Sequence, residues 1–280
     1  MPGIEEQLAS LADGYFYHSI DLPGLPTIHG AWDLRPNVDA YLGGVDLAGK
    51  RVLEVGAANG FLSFHMEKLG ADVVPYDLSP DILGDIMLPP GPGRDAFESQ
   101  YRAVIGGLNR AWSHAQRAFG SALTLNHGTA YEIPERLGAI DVTTFGSILL
   151  HLRDPYSALA SAARLTRGCI VVTDLFLPPF NRDSRAGKAL QQLGIDTGAA
   201  ARESGMIFNP SANRDPCTWW NFSPGAIRSL LSAVGFGRAR TTFHRQIFRP
   251  NFSPWGPSAV QAYGEVSESL PLFTVVAERL

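Results

Sequence analysis

The chain has 280 residues, a formal net charge of −4, 45% apolar residues and 10% aromatic residues. These values are typical of a globular chain with a large core, and they fit one large α/β domain with insertions. The acidic balance argues against non-specific binding to nucleic acid or anionic membranes, and two cysteines, Cys169 and Cys217, are too few for a disulfide framework.

The first 46 residues are rich in turns, and regular elements begin after them. Four strands are predicted in "RVLEV", "ADVVPYDLS", "AIDVTTFGS" and "CIVVTDLF", with helices in "NGFLSFHMEKLG" and "PYSALASAARLTRG". The tail continues with the helix "SPGAIRSLLSAVGFG" and the strands "RARTTFHRQIF" and "LFTVVAER". Strands that alternate with helices indicate βαβ units and a parallel sheet.

Two segments interrupt this alternation, at about 79–121 and 176–222. In the first, apolar residues recur at steps of three and four between Phe97 and Phe119, which predicts one long helix. The second is too long for a plain connection, and long insertions are usually lids or binding loops. We therefore expect an N-terminal lid or substrate segment over 1–46 and a main domain over 47–280 with two cap insertions.

A glycine turn joins the first strand to the first helix in "RVLEVGAANGFLSF". A P-loop needs Lys and Ser or Thr after its last glycine, but Phe61 follows Gly60. The dinucleotide pattern G-x-G-x-x-G is also broken, because Ala58 takes its second position and Phe61 its third. The turn therefore argues against triphosphates and disfavours dinucleotides.

Glu54 is a carboxylate inside an otherwise apolar strand. Its burial calls for a cation or several hydrogen-bond donors nearby, and a cofactor with ammonium and sulfonium groups would supply positive charge. Gly56 and Gly60 let the backbone pass close to a ligand, and Asp77 ends the second strand, where an acid can bind both ribose hydroxyls. The four residues together indicate a cationic cofactor that contains a ribose.

These motifs resemble those of the class I S-adenosylmethionine-dependent methyltransferases. "VLEVGAANG" is similar to the first motif of that family, "VVPYDLS" to its acidic second motif, and "AIDVTTFGSILLHLRDP" to its fourth strand and the helix after it. The likeness covers about 47–174 and 223–280. It implies a doubly wound, Rossmann-like, mostly parallel seven-stranded sheet with helical cap insertions, and S-adenosylmethionine as the cofactor.

The resemblance also implies cofactor contacts at the glycine turn, the second strand, the stretch "NHGTAYEIP" and the end of the fourth strand. The residues implied are Gly56, Ala57 and Gly60 for the methionine moiety, Asp77 for the ribose, Thr129 and Ala130 for the adenine, and Gly146 and Ser147 beside the cofactor. Tyr17, beside His18, is the further residue that we expect to touch cofactor or acceptor.

A narrower resemblance involves "YFYHSIDLPGLPTIHGAWDLRP" and "LLHLRDP". This combination looks like a subgroup that includes tRNA wobble-uridine modifying enzymes and bacterial small-molecule methyltransferases. The tRNA enzymes hold a carboxylated cofactor with an Arg-Lys-Gly-Pro-type segment, which is not found here. We therefore expect ordinary S-adenosylmethionine and a small-molecule acceptor.

Methyl transfer needs mainly positioning, with a general base where the acceptor is a hydroxyl. Histidine is best suited to that role near pH 7, and the candidate bases are His151, after the fourth strand, and His18. His29 is a candidate for binding the substrate. Trp219 and Trp220 are adjacent on an extended segment, so they point to opposite sides and one can face the acceptor.

We therefore predict methylation of an oxygen or nitrogen of a small organic molecule, such as a secondary metabolite. No metal is expected, because Leu175 follows Asp174 where catechol-type transfer uses Asn. The absence of a long apolar run or signal-peptide pattern predicts a cytoplasmic protein that does not bind membranes. The alternatives are a tRNA-modifying methyltransferase, a non-catalytic cofactor-binding subunit and a nicotinamide-dependent oxidoreductase.

Overall fold

The computed structural model describes residues 4–176, 188–189, 192–193, 205–208, 216–254 and 269–280. Within this part of the chain, eight strands form one sheet and two form a separate pair. In chain order the strands are β1 (Trp32–Asp33), β2 (Arg51–Val55), β3 (Asp72–Asp77), β4 (Asn126–His127), β5 (Ile140–Gly146), β6 (Thr166–Leu175), β7 (Met206–Phe208), β8 (Trp220–Phe222), β9 (Phe236–Phe248) and β10 (Ser269–Arg279).

The large sheet has the strand order β1-β9-β10-β6-β5-β2-β3-β4. Parallel pairing runs from β4 through β3, β2 and β5 to β6, and β10 lies antiparallel between β6 and β9. The predicted doubly wound, mostly parallel α/β fold is thereby confirmed. The seven expected strands are joined by an eighth, because Trp32 and Asp33 of the N-terminal segment pair with Phe248 and Ile247 at the edge of the sheet.

The α-helices of the described residues are α1 (Ile4–Ala9), α2 (Val38–Tyr41), α3 (Phe61–Lys68), α4 (Pro92–Phe119), α5 (Pro155–Leu165) and α6 (Pro224–Ala233). Those from α2 to α6 cover the two faces of the sheet. The core on one face includes buried residues of α2, α3 and α4, and the core on the other includes those of α5 and α6. Asp154 caps α5 by accepting a bond from the Ser157 N–H, and Ser223 caps α6 through the Ala226 N–H.

The first predicted cap segment contains α4, the helix expected from the apolar stripe. It connects β3 to β4, which are parallel and therefore need a crossover connection. Ala111, Trp112 and Ala115 pack it into the core. The second predicted cap, 176–222, lies mostly outside the described residues; the part described includes the β7–β8 pair and residues 216–219.

The N-terminal segment contributes to the core on the face of α2, α3 and α4, where Phe16, Ile20 and Leu34 are buried. In the described part of the chain, no helix combines the length and the apolar character needed to span a membrane.

The sheet order reverses beside β2, which has β3 on one side and β5 on the other. A crevice outside the carboxyl ends of the strands is expected at such a switch point.

Candidate functional site

A cavity of about 310 Å³ lies at the carboxyl ends of the parallel strands. Residues after β2, β3, β4 and β5 line one end of it, including Gly56, Asp77 and Gly146. Residues from the N-terminal segment, β9 and β10 line the other end, including Trp32 and Leu272. This volume is within the range of cavities that bind small molecules.

The glycine turn after β2 uses left-handed backbone at Gly56 (φ +88°), Ala58 (φ +48°) and Gly60 (φ +84°). A side chain at Gly56 would collide with Ile148. Gly56 and Ala58 line the cavity, whereas Ala57 is buried in the core and Gly60 lies outside the cavity. Strained backbone at a non-glycine residue is commonly kept where a turn serves a ligand.

Asp77 ties the ends of the first two strands together. Its Oδ2 accepts a 2.7 Å bond from the Ala58 N–H, and its Oδ1 accepts one of 2.7 Å from the Leu78 N–H. Burial raises the pKa of the Asp77 carboxyl. Farther along the edge, Thr129 and Ala130 line the cavity beside β3 and β4.

Glu54 does not line the large cavity. It is 1% exposed, and its Oε2 accepts a hydrogen bond from the Ser63 hydroxyl, while Oε1 has no partner among the described residues. Burial raises the pKa of this carboxyl to about 8, so the group is mostly neutral at pH 7. Protonation therefore removes part of the free-energy cost of burying this carboxylate. The sequence did not predict this outcome.

Gly146, the last residue of β5, and Ser147 after it both line the cavity. Ser147 has a left-handed backbone (φ +52°), and its N–H donates to the Thr173 carbonyl over 2.7 Å. The Tyr41 hydroxyl lies 3.5 Å from the Ser147 hydroxyl and also lines the cavity. Tyr41, which the sequence interpretation missed, is brought there by α2.

Tyr17 and His18 line the cavity from the N-terminal segment. Their position is held by Asn59 of the glycine turn, whose side chain accepts from the His18 N–H (2.8 Å) and donates to the His18 carbonyl (3.0 Å). The Tyr17 hydroxyl accepts a 3.0 Å bond from the Trp32 indole. His18 is 8% exposed, its Nδ1 has no partner among the described residues, and burial lowers its pKa to about 4.

His151 lines the cavity from the short helix after β5. Its Nδ1 lies 2.9 Å from the Cys217 carbonyl, which can only accept, so Nδ1 carries the proton and Nε2 is left with its lone pair. Trp220 also lines the cavity. Its neighbour Trp219 donates its indole N–H to the Asp85 carbonyl, and the rings of both tryptophans lie beside that of Phe208, at 6.3 Å for Trp219 and 5.7 Å for Trp220.

His29 lies outside the cavity and is exposed. It follows the Ile20–Ile28 bridge, and its ring lies 6.4 Å from that of Phe252. Because His29 is exposed and does not line the cavity, the geometry gives no support for the predicted substrate contact. Asp174, which the sequence interpretation considered only for metal binding, is instead buried in the cavity wall. The sequence feature that could have identified Asp174 as a cavity residue was a carboxylate at the end of an apolar strand.

The sheet order and the glycine turn after β2 together define the class I S-adenosylmethionine-dependent methyltransferase fold. The N-terminal domain of EvdMO1, solved with S-adenosylhomocysteine bound, has this fold and covers 100% of the present chain and 98% of its own, with a TM-score of 0.56 and 13% identity. No protein-family model matches the sequence.

Two curated relatives are ubiquinone biosynthesis O-methyltransferases. The Aromatoleum aromaticum protein is 33% identical over 122 residues, which are 43% of this chain and 41% of that protein. The Xanthomonas oryzae protein is 29% identical over 191 residues, which are 68% of this chain and 66% of that protein. The chain therefore spans less than two thirds of the length of either relative.

Proposed function

We propose that this chain is an S-adenosylmethionine-dependent methyltransferase that acts on an oxygen or nitrogen of a small organic molecule. The observation that carries the proposal is a single cavity that joins the glycine turn and Asp77 to a space lined by aromatic and aliphatic side chains. The fold and the names of the two relatives support it.

The residues at the carboxyl edge fit this cofactor. Gly56 lacks the Cβ that would collide with Ile148, and Asp77 presents a carboxylate in the position where an acid binds ribose. Thr129 and Ala130 would flank the adenine, with Gly146 at the methionine end. The bound cofactor supplies a methyl group on a sulfonium, which is already a good leaving group.

Glu54 and two of the predicted methionine contacts, Ala57 and Gly60, act indirectly in this proposal. Glu54 lies directly behind the turn and lines a small void with Gly56 and Gly146. Its carboxyl would ionise more readily beside a cationic ligand, because an opposite charge lowers the pKa of an acid. Ala57 packs into the core behind the turn, and Gly60 allows the turn its left-handed backbone beside the Phe64 and Trp112 rings.

The acceptor space is suited to a flat or apolar molecule. Trp32, Tyr41, Phe248 and Leu272 line it, and Trp220 closes it from the side of β8. Such walls exclude water and orient the acceptor, which are the main contributions that a protein makes to methyl transfer. The acceptor itself is not identified.

Among the candidate bases, His151 is the better proton acceptor. The Cys217 carbonyl fixes its tautomer and leaves Nε2 able to take a proton from an acceptor hydroxyl. His18 has its pKa lowered to about 4 by burial, so it stays neutral at pH 7 and holds a proton poorly. We assign to His18, together with Tyr17, the role of positioning the acceptor.

Calorimetric titration with S-adenosylmethionine and S-adenosylhomocysteine tests the proposal. Both should bind the wild-type protein, and replacement of Asp77 by Asn should weaken both by about ten-fold or more. Once transfer of labelled methyl is detected, H151A should lower kcat, whereas H29A, at an exposed site outside the cavity, should not. Absence of binding by both ligands would reject the proposal.

The tRNA alternative gains no specific support. Strand β9 and the residue after it are rich in arginine, but two of these side chains have partners within the protein. Arg245 donates to Ser269, and Arg249 forms an ion pair with Asp33 at 3.3 Å. Tight tRNA binding that weakens steeply with salt would reverse this preference.

A further inference from the structure

The acceptor end of the cavity holds a carboxylate, Asp174, that has no part in the function proposed above. It is the penultimate residue of β6, paired with Phe273 of β10, and it is 2% exposed. Its Oδ1 accepts a 2.7 Å bond from the Leu175 N–H. Its Oδ2 has no hydrogen-bond partner among the described residues, although the side chain forms part of the cavity wall.

Asp174 differs in this respect from the other two carboxylates of the cavity wall. Asp77 accepts backbone N–H bonds with both oxygens. Asp85 accepts from the Tyr131 hydroxyl and, over 2.8 Å, from the Arg153 N–H. Asp77 with both oxygens and Asp85 with Oδ2 hold the protein's own loops, whereas Asp174 has a buried oxygen, Oδ2, without a partner among the described residues.

The position of Asp174 separates it from the proposed cofactor contacts. Those contacts lie at the ends of β3 and β5 or follow β2, β4 and β5. Strand β6 lies on the side of β5 away from β2. A group at the end of β6 is therefore placed toward the acceptor. A buried carboxylate oxygen without a partner is costly, and a hydroxyl or ammonium donor removes that cost.

The side-chain charges around the cavity also disfavour an anionic acceptor. The described residues that line it include three aspartates and two histidines, and none of those described lining residues is Lys or Arg. A carboxylate or phosphate on the acceptor would meet no opposite side-chain charge in this described wall. Burying an unpaired anion in this wall would be strongly unfavourable, whereas an ammonium group would favour the ionised form of Asp174, whose pKa burial raises to about 8.

We propose that Asp174 selects the acceptor: its free Oδ2 accepts a hydrogen bond from a hydroxyl or ammonium group of a neutral or cationic molecule, and the cavity rejects acceptors that carry a carboxylate or phosphate. This inference rests on the proposed function, since it describes the acceptor end of that site. It assigns a specificity role to a residue of this chain and not a step of the transfer.

Three matched phenols test it on the protein loaded with S-adenosylhomocysteine. Tyramine, 4-ethylphenol and 3-(4-hydroxyphenyl)propionate share a ring and a two-carbon substituent but carry positive, zero and negative charge. By calorimetry, tyramine should bind at least about ten-fold more tightly than the propionate, with 4-ethylphenol between them. D174N should remove most of the preference for tyramine, and D174S should do the same.

Binding of S-adenosylhomocysteine by each variant shows that it is folded. The matched control is D141N, because Asp141 is a carboxylate at the opposite end of β5 that binds the Arg51 N–H; it should keep the order of the three phenols. The inference is overturned if the propionate binds as tightly as tyramine, if D174N and D174S keep the preference, or if no phenol binds the loaded wild type. A wild type that does not bind S-adenosylhomocysteine instead rejects the proposed function.

Discussion

Replacing Glu54 by Gln should make the protein's stability much less sensitive to alkaline pH. The glutamine side chain has nearly the same shape and can still accept the bond from the Ser63 hydroxyl. What it lacks is the titrating group, whose pKa burial raises from 4.5 to about 8 in the folded protein. The variant therefore isolates the cost of ionising this one buried carboxyl.

The magnitude follows from proton linkage. Between pH 5 and pH 8 the folded protein keeps the proton on Glu54, while the unfolded chain has released it. Because the folded state binds more protons, the free energy of unfolding falls as the pH rises, by about 1.4 kcal/mol per unit. Over this range the wild type should lose about 4 kcal/mol relative to E54Q. Above pH 8 both states are ionised and the difference becomes constant.

Urea unfolding at pH 5, 6.5 and 8, without cofactor, measures this difference. Asp174, whose pKa burial also raises to about 8, contributes equally to both proteins and cancels in the comparison. E132Q, at an exposed position, serves as the control and should follow the wild type. If E54Q and wild type differ by the same free energy at pH 5 and pH 8, within about 1 kcal/mol, Glu54 does not carry the proposed shift.

Three further substitutions test the loops around the cavity. D77N should lower S-adenosylhomocysteine affinity in calorimetry by about ten-fold or more, because it replaces the charged acceptor at the ribose position; unchanged affinity would remove Asp77 from the site. G60A should lower Tm more than G70A in thermal unfolding, since both glycines have positive φ but only at Gly60 would a Cβ collide with aromatic rings; equal losses would contradict this. D85A should cost about 1–3 kcal/mol in urea unfolding, because the Tyr131 hydroxyl loses its acceptor; a stability equal to wild type would refute that role.

Apolar periodicity was sufficient to predict the sheet and its helices. The strands β2, β3, β5 and β6 lie where short apolar runs end at turns, and α4 lies where a stripe of period 3–4 runs from Phe97 to Phe119. Such patterns report which face of a local element is buried, and that information is contained within each segment. The place of Asp77 beside the glycine turn was predictable for the same reason, since carboxyl ends of parallel strands meet at one edge.

The partners of individual side chains could not be predicted in this way. His18 and Asn59 are 41 residues apart, yet two hydrogen bonds join them and decide that His18 faces the cavity. His29, predicted from the same segment, is exposed and lies outside the cavity, and no local pattern distinguishes it from His18. Glu54 was expected to need a cation or several hydrogen-bond donors nearby, but its burial and its one Ser63 donor also allow a neutral carboxyl.

The sequence by itself thus determined the fold class, the glycine turn after β2 and the position of Asp77 at the end of β3. These features depend on local periodicity and on turn chemistry. Only the tertiary structure decided which polar groups are left without partners at the acceptor end. Strand pairing with β10 buries Asp174 there, and among the described residues no further donor reaches its Oδ2. Such long-range packing depends on the whole chain and leaves no local signature.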